Sequence, residues 1–186
     1  FNHLATLGFK GVNPGSRAIG STGVTLPVDA DLKAFADGGF IALFDEAGVQ
    51  TDASAGRKGV DVTVLDPLSG DILAQQGFDT TANRYESAAL ADFLRDVAEG
   101  RIVLIATHGD AWANLTQEAV DAVRAIGADV TLAAMQGQYA AIVGVKGAAP
   151  GTAAQALDPS EAFLRVSLER DRRPLAAFID WLKVGE

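Results

Sequence analysis

Gly59-Val-Asp-Val-Thr-Val-Leu-Asp-Pro-Leu-Ser-Gly-Asp-Ile72 is where the chain first declares its architecture. Val60, Val62 and Val64 alternate with Asp61 and Thr63, the period of two expected of a half-buried strand. Asp66-Pro-Leu-Ser-Gly70 then reads as a tight turn, because proline presets φ at an early turn position and glycine accepts a positive φ at the end. Residues 71–78 return as a second strand, so 60–78 is read as a hairpin.

Downstream, the period changes to that of a helix. Asn83 and Glu86 have capping-box spacing, and Leu90, Phe93, Leu94 and Val97 follow as one apolar stripe closed by Gly100. Ile102–Thr107 is almost wholly apolar, the signature of a strand covered on both faces. After a loop at 108–115, Thr116 is placed to cap a second helix, with Glu118 in its first turn, Val120, Val123 and Ile126 inward, and Gly127 at its end. Tyr139–Val145 is a further strand, and the alternation of Leu164, Val166 and Leu168 makes 162–169 another. Leu175, Phe178, Ile179 and Leu182 fit either a helical stripe or, slightly better, a returning strand. Upstream of residue 58 the signals are weaker, with Val24–Val28 and Phe40–Phe44 the best strands between glycines.

Bulk properties remove several classes. At 186 residues, 48% hydrophobic and 21% charged, the chain is an ordinary globular sequence, long enough to bury roughly 70% of its unfolded surface without staples. Apolar runs such as Ile102–Ala106 fall far short of the ~20 residues of a membrane span. A net charge of −9 repels phosphate backbones, and the one basic cluster, Arg170, Arg172 and Arg173, has Asp171 inside it, so nucleic acid is not an expected partner. The absence of cysteine excludes disulfides, thiolate metal sites and cysteine nucleophiles. The start at Phe1, without the order of a signal peptide, suggests a processed protein or a fragment.

The hairpin 59–72, Phe78-Asp-Thr80, Arg101-Ile-Val-Leu-Ile-Ala-Thr107, Leu115-Thr-Gln-Glu-Ala119, Gly127 and Val143-Gly-Val-Lys-Gly147 form an ordered series. That series resembles the ILEI/PANDER-like domain, a family of secreted interleukin-like proteins that also includes the stem domain of protein O-mannose N-acetylglucosaminyltransferase. The resemblance implies an α+β fold of two small antiparallel sheets packed together, with two or three flanking helices. It places the domain at 1–147, best matched over 57–147. A flexible loop is expected at 148–159, rich in alanine, glycine and proline. Residues 160–186 are expected as a β-hairpin or strand–helix extension packed on the same domain. The resemblance further implies an extracellular or cell-surface location and no catalysis or cofactor. In the stem domain, N-acetylglucosamine is held by polar residues whose positions align here with Gly109, Gly137 and Lys58. Two of those three groups are therefore missing, so the fold transfers and the ligand does not. The missing cysteines are a second departure.

Read for chemistry, the loop after Ile102–Thr107 offers His108, Asp110 and Trp112: an aromatic face for a sugar ring beside directional hydrogen-bonding groups. Gln136, Gln138 and Tyr139 offer the same chemistry before the Tyr139–Val145 strand, and Lys58 completes the candidate ligand-binding set. The plainer reading makes Trp112 a lid on the core and the rest ordinary loop polarity. Metal ligation finds no support: His3 and His108 are far apart without partners at ligand spacing, and Asp29-Ala-Asp31 is better read as a solvated turn than as half a calcium site. No Gly-x-Ser-x-Gly elbow marks a hydrolase. Asn114-Leu-Thr116 matches a glycosylation sequon, although Thr116 already serves as a cap. The expected function is a non-catalytic extracellular carbohydrate-binding or accessory domain, attached for example to a membrane glycosyltransferase. A structural or protein-interaction module of a filament, envelope or phage particle is the alternative. Either way the partner is a glycan or a protein, and the oligomeric state stays open.

Overall fold

The computed structural model describes residues 15–168. His3, the basic cluster at 170–173 and the helix-or-strand choice at 175–184 lie outside them. The described chain is mixed α and β and dominated by sheet. Its elements run β1 (Asp29–Phe35), β2 (Gly38–Phe44), β3 (Gln50–Asp52), β4 (Gly59–Leu65), β5 (Ile72–Phe78), α1 (Arg84–Asp96), β6 (Ile102–His108), α2 (Gln117–Arg124), α3 (Leu132–Met135), β7 (Tyr139–Val145), β8 (Ala154–Asp158) and β9 (Glu161–Val166).

What the sequence reading divides into two small sheets is one hydrogen-bonded network of nine strands. Antiparallel β3-β2-β1-β9 and antiparallel β5-β4-β6-β7-β8 meet through one parallel pair, Phe35 with His108. β6 is the strand that both halves use. Its Val103 and Ile105 join Val60, Val62, Val64, Leu90, Leu94, Val120 and Val123 in one buried cluster beneath α1 and α2. Its Ile102, Leu104 and Ala106 join Leu32, Ile41, Leu43, Val143 and Val166 in a second. The near-continuous apolar run thus follows from cover on both faces.

The local signals explain the rest. The hairpin pairs Val60 with Phe78 and Val64 with Ala74, then shifts register before Leu65 meets Ile72. Asp66 closes the turn by accepting the N–H groups of Leu68 and Ser69 at 2.9 and 3.1 Å, and it pairs with Arg101. Asn83 caps α1 by accepting from Tyr85 and Glu86. Only half of the expected box forms, because Glu86 turns to the Asp79 N–H and to Arg57. Thr116 caps α2. Gly144 is required by a close approach: a Cβ there would stand 2.2 Å from the Ile126 carbonyl oxygen, which instead accepts the Val145 N–H.

Four further expectations change. Val24–Val28 is not a strand; Thr25 makes one isolated bridge to Ala18, and the strand begins at Asp29. Asp29 and Asp31 disguised it, because they are not a solvated turn but buried members of β1. Arg17 donates to Asp29 at 2.6 Å, and Arg165 grips Asp31 with two nitrogens at 2.7 and 2.8 Å, the forked pairing that makes a buried carboxylate tolerable. Burial pushes the Asp29 carboxyl up, but hydrogen bonds from Arg17, the Leu168 N–H and Ser167 outweigh it and leave it below its ordinary value. The stretch 148–159, expected as a flexible loop, contains β8 paired with β7, and the Gly127 carbonyl accepts from Gly151, Thr152 and Ala153. Where the described chain begins and ends, the Gly15 N–H donates to the Leu168 carbonyl at 3.0 Å and Ser16 bridges Ser167.

The fourth change concerns Trp112, which is 3% exposed and belongs to the cluster beneath the helices. It is core, not an open platform. Trp112→Ala is expected to cost on the order of 3–5 kcal/mol in denaturant unfolding, as truncation of a buried aromatic does; a loss below about 0.5 kcal/mol would return the ring to the surface.

Asp61 is fully buried in β4, where its carboxylate accepts the N–H groups of Gly56 and Arg57 at 3.1 and 3.3 Å. Burial pushes its pKa up to about 6 in spite of those bonds, with Asp52 adding to the rise. A raised carboxylate favours the folded state in its protonated form, so this stability is complete below the unfolded value and is lost as pH climbs through 6. Between pH 4 and 7, Asp61→Asn should therefore gain about 2–3 kcal/mol relative to the parent. Parallel unfolding curves across that range, with no change in the difference, would show that Asp61 does not titrate there.

Candidate functional site

Strand register assembles one polar end of the sheet. β6 runs antiparallel to β4, with His108 opposite Gly59, and antiparallel to β7, with Ala106 opposite Ala141. It also meets β1 at Phe35, whose carbonyl accepts the Gly109 N–H at 3.1 Å. The end of β6, the starts of β4 and β7 and the β1–β2 turn are thereby neighbours. The close packing of that turn shows at Gly39, where a Cβ would meet the Thr107 carbonyl oxygen at 2.9 Å and the His108 Cβ at 3.2 Å.

His108 stands at the centre and is half-buried. Burial, then the charge of Lys58, lowers its pKa below the ordinary value, while a hydrogen bond to the Arg57 backbone and the charges of Asp37 and Asp79 pull the other way. The net shift favours the uncharged imidazole, which has one donor and one acceptor nitrogen. Lys58 and Asp110 are exposed beside it. Across the β6–β7 junction Gln136 is exposed, and Gln138 and Tyr139 are half-buried. α3, capped by Thr131, carries that loop, and its Met135 carbonyl accepts the Gln138 N–H. Lys58, His108, Asp110, Gln136, Gln138 and Tyr139 thus lie on strands and loops at one end of the sheet. Trp112 does not join them.

Gly109 and Gly137 have φ of +65° and +69°. Little crowds either position: a Cβ on Gly109 would meet only the Ala36 carbonyl at 3.5 Å, and one on Gly137 nothing within 4 Å. It is the left-handed backbone that disfavours a side chain at both. Asn114 is committed elsewhere, because its side-chain nitrogen donates to the Thr80 and Thr81 carbonyls at 3.1 and 3.0 Å. The sequon nitrogen is thus a structural strut. Sequence reasoning missed Asp37, Arg57 and Asp79, which reach His108 from three separate segments. Their spacing carries no motif; only register unites them.

Comparison with known proteins bears on the same region. Residues 58–148 match the sequence model of a family described as interleukin-like EMT inducer. The human cell migration-inducing and hyaluronan-binding protein is 35% identical over 82 residues, covering 44% of this chain and 6% of that protein. Its mouse counterpart is 33% identical over 82 residues, with the same coverage. The chain therefore spans a small part of the length of these relatives. The ordered motifs of the hairpin, β6 and β7 lie within the stretch that matches: residues 58–148 are similar to the interleukin-like EMT inducer domain.

Proposed function

We propose that this chain is a non-catalytic, extracellular carbohydrate-binding accessory domain, and that the end of the sheet around His108 is its ligand surface. The observation that carries this reading is the meeting of Lys58, His108 and Asp110 with the Gln136–Tyr139 loop across paired strands β4, β6 and β7. Those groups supply the donors and acceptors that sugar hydroxyls need, and Tyr139 supplies an aromatic edge. The hyaluronan binding in the names of the relatives supports a glycan as ligand. Charge narrows the class: with a net charge of −9, and with Asp37 and Asp79 acting on the imidazole beside Lys58, the surface favours an uncharged sugar over a polyanion.

The test is an NMR titration with a panel of neutral oligosaccharides and, separately, hyaluronan fragments. Neutral oligomers are expected to shift the resonances of Lys58, His108 and Gln136 through Tyr139, and hyaluronan to shift them less. His108→Ala or Gln136→Ala should each weaken binding by about 2- to 10-fold, the worth of one hydrogen bond. If no glycan perturbs that surface at millimolar concentration, the carbohydrate reading fails.

A further inference from the structure

Among the described residues three carboxylates are buried, and two of them have a cation: Asp29 pairs with Arg17, Asp31 with Arg165. Asp61 is fully buried, and no ion pair among the described residues reaches it. Its carboxylate accepts instead from the backbone of the segment joining β3 to β4, the Gly56 N–H at 3.1 Å and the Arg57 N–H at 3.3 Å. That segment has no regular structure, and Ala55, Gly56, Arg57 and Lys58 are exposed. It crosses the carboxylate closely. A Cβ on Gly77, opposite Asp61 in β5, would meet the Arg57 Cβ at 2.6 Å, Asp61 Oδ1 at 2.9 Å and the Ala55 Cβ at 3.2 Å.

The strap is fastened at both ends. Thr63 donates to the Ala53 carbonyl at 2.6 Å, Ser54 Oγ accepts the Ile41 N–H at 2.9 Å, and Gly59 enters β4. Between those anchors it rests on Asp61, on a 3.4 Å bond from Arg57 to the Gly77 carbonyl, and on the exposed Arg57–Glu86 pair, a contact of little worth. A carboxylate buried without a cation either takes up a proton or regains water. Here the two N–H bonds favour the ionised form and burial the neutral one; burial is the larger, and the pKa stands at about 6 against an ordinary 3.8. Asp52, at the end of β3, adds to the rise. The other charged or titratable neighbours are Arg57 and Lys58 on the strap and His108, which shares this face of the sheet because it lies opposite Gly59. β2 and β5 bring no ionisable side chain.

We propose that Asp61 is a positioning residue of the His108 surface, a latch that keeps residues 55–58 shut while its carboxyl is neutral and releases them when it ionises. The strap carries Lys58, and the Arg57 backbone bonds the His108 ring, so an open strap withdraws both from that surface. The sign follows from linkage: the closed form holds its proton more tightly than the open one, so rising pH favours opening. The effect on binding rests on the carbohydrate reading; the movement of the strap does not.

Amide exchange followed by NMR on the ligand-free chain tests the latch. Between pH 4.5 and 8 the protection factors of Gly56 and Arg57, with the intrinsic pH dependence of exchange divided out, should fall by up to about a hundredfold, the ratio set by values of about 6 and 3.8. The fall should share its midpoint with the carbon-13 titration of the Asp61 carboxyl, and it should vanish in Asp61→Asn, which keeps a neutral side chain of the same shape. Protection that stays constant or rises overturns the proposal, as does an equal fall in Asp61→Asn. Neutral oligosaccharides should then bind the parent about 2- to 10-fold more tightly at pH 5 than at pH 8, the worth of one repositioned hydrogen bond, with a smaller difference in Asp61→Asn. Equal affinity at both pH values in a chain whose strap opens removes Asp61 from the positioning of that surface. No binding at either pH defeats the carbohydrate reading, and the exchange data alone then decide the latch.

Discussion

The burial of β6 on both faces is the constraint on which the other layers depend. Residues alternate in direction along a strand, so a helix layer on one face and further strands on the other demand apolar residues at every position. Val103 and Ile105 serve the cluster beneath α1 and α2, while Ile102, Leu104 and Ala106 serve the cluster shared with β1, β2 and β9. β4 and β7 take their registers from β6 over nearly their whole lengths. A one-residue slip would exchange the two clusters and leave neither filled. The polar end around His108 exists because those registers are held.

How much of this was legible depended on whether a segment's pattern reported its own burial. The hairpin, α1, β6, α2, β7 and β9 announced themselves because local periodicity and tertiary burial agree there. β1 did not. Ala30, Leu32 and Ala34 face the core, yet Asp29 and Asp31 stand between and beside them as buried carboxylates held by Arg17 and Arg165. Nothing local in an Asp-x-Asp tells a buried ion pair from a solvated turn, since the partner of Asp31 arrives 134 residues later. β8 hid for a related reason. Its Ala-Gln-Ala-Leu-Asp has little strand propensity, and pairing with β7 supplies what composition does not.

The candidate site divides along the same line. Placing His108, Lys58 and the Gln136–Tyr139 loop together came from the family resemblance, whose sugar-holding positions align with Lys58, Gly109 and Gly137 in the same segments. Trp112 was misleading, since an aromatic residue in a polar loop is equally suited to touching a ligand and to plugging the core from above. Ala111 and Leu115 are buried on either side of it, and Thr80 reaches across to accompany the turn by donating to the Ala111 carbonyl at 2.7 Å. That turn is built inward. Asp37 and Asp79 set the charge around the imidazole, and they could be found only after the fold was known.

The pairing of Gly15 with Leu168 has a mechanical side. Because residues 15 and 168 lie side by side, the chain enters and leaves the described fold at one place. Tension drawn between those two points would not load the long ladders of β4, β6 and β7 in parallel. It would fall first on the Gly15–Leu168 bond and the Ser16–Ser167 bridge, one rung after another.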